Sequence, residues 1–125
     1  MMQKLLLIGL AGGLGTLARY GLGGLVQRWT GSTFPWGTAA VNILGCLAFG
    51  LIWGMASERL GLSGQARSVV LIGFLGAFTT FSTFASETGQ LLADAEWALA
   101  AGNMLLQNAL GVGMFLAGLA LGRAV

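Results

Sequence analysis

The ten formal charges of this chain are placed so that they leave four long gaps. Between Lys4 and Arg28 the only charge is Arg19, and the runs Arg28–Glu58, Arg67–Glu87 and Glu96–Arg123 contain none. Each gap is about 19 to 29 residues long, and roughly 20 apolar residues cross a bilayer as a helix. Spacing of this kind predicts four transmembrane helices, about Leu5–Val26, Gly37–Ala56, Ser68–Ala93 and Trp97–Leu121. Composition agrees: 56% of the 125 residues are hydrophobic and 8% charged, where soluble domains carry about 25% charged. The apolar runs are continuous, which argues against a β-barrel, whose strands alternate polar and apolar.

The opening MMQKLLLIGLAGGLGTLA has the basic start and apolar run of a secretory leader. Its apolar character resumes after Arg19 through YGLGGLV, so it reads as the first span. No internal repeat or soluble segment stands out, and residues 1–125 read as one domain.

Several chemistries are excluded by what is missing. There is no His and a single Cys, Cys46, and the acids are Glu58, Glu87, Asp94 and Glu96. A metal site of His, Cys and carboxylates lacks its ligands, and a hydrolase lacks its His base, so no enzyme is indicated. The basic residues are scattered near helix ends, which argues against nucleic acid. Lys4, Arg59, Arg67 and Arg123 fall on one side of the membrane, and Arg28, with Arg19, on the other. That modest bias leans toward cytoplasmic termini in a multi-pass protein of the cell inner membrane.

The third span is long for its task. About 26 residues of straight helix measure about 39 Å, against a hydrocarbon core of about 30 Å. Tilt would absorb the excess, and so would a break. The weak helix formers in Gly76–Thr83 mark where a break belongs. Non-helical backbone survives at membrane depth only against protein or a water-filled cavity, so a break would imply a site. Glycines four apart occur at Gly9 and Gly13, Gly50 and Gly54, and Gly118 and Gly122; such pairs let helices approach closely.

Polar side chains inside these spans need partners. Thr38 and Asn42 share one face of the second span. In the fourth, Asn103 and Gln107 share a face and Asn108 points away from it. Asn103 is expected near the interface, where it costs little, with Gln107 and Asn108 deeper. Within GFLGAFTTFSTFASE (Gly73–Glu87), Phe81 and Phe84 can lie on one side of a helical turn. Two phenyls in a membrane helix commonly just pack, but Thr79, Thr80, Ser82 and Thr83 together supply more donors than one turn absorbs. Arg19 either snorkels or lines a wet vestibule, and Glu87 is either its partner or a boundary residue. Amides, hydroxyls, ring edges and one cation, with no acid deep in the spans, suit a small anion.

The motif GFLGAFTTFSTF, with PWGTAAVN (Pro35–Asn42) and GTLARY around Arg19, resembles the Fluc (CrcB) family of fluoride channels over nearly the whole chain. The resemblance implies an all-α membrane protein: four transmembrane helices, the third broken near its middle, in an antiparallel (inverted) homodimer with two fluoride pores. It implies that Phe81 and Phe84 contact fluoride, with Asn42 as a donor beside them and Thr38, Ser82 and Thr83 contributing hydroxyls. Arg19 would sit at a vestibule, and carbonyls of Gly76 and Thr79 would hold a structural Na+ at the dimer interface. In the fourth span the family often has a Tyr and, four residues on, a Ser. This chain has Asn103 and Gln107 there, and Gln107 and Asn108 are its candidate lining residues. The implied function is passive export of cytoplasmic fluoride. A small four-helix proton-coupled multidrug exporter is the alternative; it needs a membrane-embedded carboxylate, and the first span has none.

Overall fold

A computed structural model of the chain describes residues 1–56 and 59–125. Helix α1 runs Met2–Thr30, longer at both ends than the apolar window alone suggests. It stops at Gly31, whose left-handed torsion (φ 56°) turns the chain and returns its N–H to Gln27 O at 3.1 Å. Gln27 then holds the connecting turn with its whole amide. Nε2 donates to Ser32 O (2.7 Å) and Phe34 O (3.0 Å), and Oε1 accepts Gly37 N–H (3.0 Å). That grip aims α2, Trp36–Ala56, back across the membrane.

The third span starts four residues ahead of its expected start and comes as two helices. Helix α3 covers residues 64–78, with π-helical turns over Ser68–Leu75, and Ser63 caps it by accepting Ala66 N–H. Helix α4 is Phe81–Ala93. A turn through Ala95 (φ 57°) leads to α5, Trp97–Ala124, which carries a π-helical segment at Leu106–Leu110. Among the described residues, four helical spans are thus long and apolar enough to cross a membrane.

Close helix contacts are made through glycine. Gly50 and Gly54 lie on the α5 backbone at Phe115 and Leu119, while Gly118 and Gly122 lie on the α2 backbone at Leu47 and Leu51. The contact is reciprocal, and a Cβ at any of the four would strike a carbonyl oxygen. Gly15 packs likewise on the Phe74 backbone, bringing α1 to α3, and Gly37 meets Gly23, bringing α2 to α1. Gly9 and Gly13 have the same spacing but face open space. Val41, Leu71, Leu75 and Phe78 form the buried core where α2 and α3 meet. Elsewhere the spans turn Leu10, Leu14, Leu17, Ile72 and Leu105 outward, as a lipid-facing surface requires.

Candidate functional site

Between α3 and α4 the backbone is extended at two residues, Thr79 (φ −91°, ψ 157°) and Thr80 (φ −151°, ψ 113°). The interruption creates two helix ends whose polar groups need partners, and nearby side chains supply them. At the end of α3, Thr79 Oγ1 donates to Leu75 O (3.0 Å) and Arg19 Nε to Ala77 O (3.0 Å). A cation there also suits the helix dipole. At the start of α4, Thr80 is the cap: its Oγ1 accepts Thr83 N–H (3.2 Å) and donates to Thr83 Oγ1 (2.9 Å). Ser82 is exposed, with its hydroxyl 3.4 Å from that of Thr80. The hydroxyl cluster is therefore largely absorbed by capping, against the expectation of surplus donors, because two helix ends meet here rather than one turn.

The extended backbone at Thr80 points its N–H and C=O to the same side, where one amide can serve both. Asn42 on α2 does so: its Oδ1 accepts Thr80 N–H (2.7 Å) and its Nδ2 donates to Thr80 O (3.0 Å). Nδ2 also donates to Gln107 Oε1 (2.7 Å). Gln107 Nε2 donates to Asn103 Oδ1 (2.8 Å), Asn103 Nδ2 to Thr88 Oγ1 (2.9 Å), and Thr88 Oγ1 to Phe84 O (2.8 Å). Asn103 is fully buried, with Gln107 and Thr88 nearly so. The expectation that Asn103 sits at the interface is thus corrected, because α4 folds over it and Thr88 offers an acceptor. Thr88 was missed in the sequence, and Asn103, read there as sharing a face with Gln107, was expected at the interface and left out of the candidate lining residues. The available signal was the four-residue spacing of Asn103 and Gln107, which stacks two amides on one face.

Two cavities meet at Thr80, which lines both. One, of about 590 Å³, is lined by Arg19, Arg28, Thr38, Thr83 and Glu87 among others. Glu87 Oε1 accepts the Thr38 hydroxyl at 2.8 Å and its Oε2 is buried without a partner. Glu87 is thus bonded to Thr38 rather than to Arg19. The other cavity, of about 420 Å³, is lined by Asn42, Phe81, Phe84, Gln107 and Asn108, with Cys46 on its wall. The Phe81 and Phe84 rings touch there, with centroids 5.5 Å apart and tilted by 49°. Phe84 is buried and Phe81 is 76% exposed.

Of the residues singled out in the sequence, Asn42, Phe81, Phe84, Gln107 and Asn108 share this second cavity, while Thr38, Thr83 and Arg19 lie around the first. Asn108 is exposed and donates to Met104 O of its own helix (2.8 Å). It thus satisfies itself locally instead of needing a partner across the bundle. Gly76 lies in the last turn of α3, and Thr79 is the first residue of the interruption. Among the described residues no three His, Cys, Asp or Glu side chains come together as metal ligands.

Residues 6–119 match the family model described as CrcB-like protein, Camphor Resistance (CrcB). The chain is 59% identical over 112 residues to a protein of Nitrosococcus oceani named "Fluoride-specific ion channel FluC", covering 90% of each. It is 52% identical to the protein of that name in Desulforapulum autotrophicum and 54% identical to the one in Solidesulfovibrio magneticus. Both of those alignments run over 125 residues and cover all of both chains.

Proposed function

The chain belongs to the CrcB family, and on that premise we propose that it is a fluoride-specific channel that lets cytoplasmic fluoride leave passively across the inner membrane. The observation that carries the reading to residues is the cavity beside the interrupted helix, where Asn42, Gln107 and the paired Phe81 and Phe84 rings converge. A phenyl edge is weakly positive and an amide N–H replaces part of a halide's water. Together they bind enough for entry and weakly enough for exit, as conduction requires. The first cavity, with Arg19 and Arg28 on its wall, is the vestibule that gathers anions. Thr38, Ser82 and Thr83 place hydroxyls along the approach.

The working unit is an inverted homodimer. Phe81 supports this: a phenyl that must flank a pore is 76% exposed in one subunit, and a second copy would close its open side. A structural sodium ion fits the interruption through backbone oxygens alone. A continuing helix would give Thr80 N–H to Gly76 O, but that N–H goes to Asn42 instead. The Gly76 and Thr79 carbonyls of two subunits would hold the ion, which supplies charge to balance four converging oxygens.

A small multidrug exporter of similar size would need a carboxylate within its first span, where Arg19 is the only charge between Lys4 and the end of α1's apolar run. Purified protein in liposomes separates the readings. A channel releases fluoride down its gradient, an exporter couples organic cations to protons, and a purely structural subunit moves neither.

A further inference from the structure

The hydrogen bonds around Asn42 run in one direction, and their two ends set it. At the start is Thr80 N–H, which can only donate, and it fixes Asn42 Oδ1 as the acceptor. Asn42 Nδ2 must then face Thr80 O and Gln107 Oε1. Gln107 in turn must present Nε2 to Asn103 Oδ1, and Asn103 its Nδ2 to Thr88 Oγ1. At the far end Phe84 O can only accept. No amide in the series can flip without setting donor against donor. One end is Thr80, the cap of α4, and the other is Phe84 in its first turn, the turn that also carries Phe81.

Asn42 Nδ2 has two hydrogens and two acceptors, so an anion in the cavity finds neither free. One bond must open first. The bond to Thr80 O is half of a two-point grip on extended backbone. The bond to Gln107 Oε1 joins two side-chain tips that both line the cavity. We propose that Gln107 is a built-in competitor of the transported anion: its Oε1 occupies the Asn42 N–H between ions, yields it to the arriving ion, and reclaims it as the ion leaves. Asn103 is a positioning residue that keeps this oxygen forward by holding Gln107 Nε2. A hydrogen bond to a charged acceptor is stronger than one to a neutral carbonyl, so the ion wins the exchange. The bond given up weakens net binding, which favours release. The inference rests on the pore reading of this cavity.

Gln107→Met removes the oxygen at similar length, and Gln107→Asn withdraws the amide by one methylene. In either variant, reconstituted as an assembled protein, the fluoride concentration giving half-maximal efflux should fall about fivefold, the equivalent of one neutral hydrogen bond that no longer has to open. The maximal rate should fall with it, because exit slows. A half-maximal concentration that is unchanged or higher overturns the competition, since a merely structural Gln107 would lower the rate alone. The unmodified protein gives a second test through its side-chain amide NMR signals during fluoride titration. Asn42 and Gln107 should shift together over one concentration range, and any other pattern overturns the proposal. A wild type that conducts no fluoride sinks the pore reading itself, whereas a conducting wild type with unaltered variants sinks only the competition.

Discussion

A single amide does two tasks at the centre of this protein. Asn42 clamps the extended backbone at Thr80 from both its N–H and its C=O, and its remaining N–H reaches into the cavity toward Gln107. Asn42→Asp keeps the shape but turns the donor into an acceptor facing two other oxygens. It should abolish fluoride efflux and cost about 1 to 3 kcal/mol of stability, the range for groups left unsatisfied on burial. Efflux at the wild-type rate from that variant would remove Asn42 from the pathway. Phe81→Ile should cut efflux roughly two- to tenfold, the rate equivalent of the aromatic pair energy of about 0.5 to 1.5 kcal/mol lost at the ion's position, while the dimer persists. The identities of Asn42, Phe81, Phe84 and Gln107 were legible in the sequence as polar or aromatic side chains out of place among apolar ones. The burial of Asn103 was not. Whether a polar residue near a span's start meets water or protein depends on what folds over it, and α4 is set there by the interruption at Thr80, 23 residues before Asn103.

At the scale of elements, the third span works because its interruption is capped on both sides. Thr80 caps α4, and Arg19 and Thr79 satisfy the end of α3. Thr80→Ala removes the cap and should lower stability by about 1 kcal/mol and reduce efflux, since the capped turn carries Phe81 and Phe84; Thr80→Ser should restore both. Thermal melts and efflux on the same preparations check this. The glycine pairs make a second prediction. Gly118→Ala places a methyl against Leu47 O and forces α2 and α5 apart, whereas Gly9→Ala meets nothing. Gly118→Ala should lower the melting temperature, and Gly9→Ala should leave it unchanged or raise it, by up to about 1 kcal/mol of helix propensity. All three pairs read alike in the sequence. Spacing says that a close approach is possible, and only the partner helix decides which pair makes one. The span count was legible for a simpler reason: charges are too costly in lipid to be scattered freely.

At the scale of the molecule, one subunit offers an apolar exterior on every span and a ring, Phe81, that faces outward beside a polar cavity. An inverted pair of subunits would cover that ring. The basic residues lean to one side, four against two, and the proposed inverted pair requires insertion in both orientations against that lean. A single Cys introduced at Met2 in a Cys46→Ser background should react with an impermeant thiol reagent from both faces of the membrane; labelling from one face only would contradict inversion. The central claim, that an anion passes along the Phe81–Phe84 cavity, is tested most directly with a fluoride electrode. Sealed liposomes loaded with fluoride and holding either the wild-type protein or Phe84→Ile at matched density would be compared. The account predicts rapid fluoride release from the first and little from the second, both remaining dimeric. Equal release from the two, or none from assembled wild type, would contradict it.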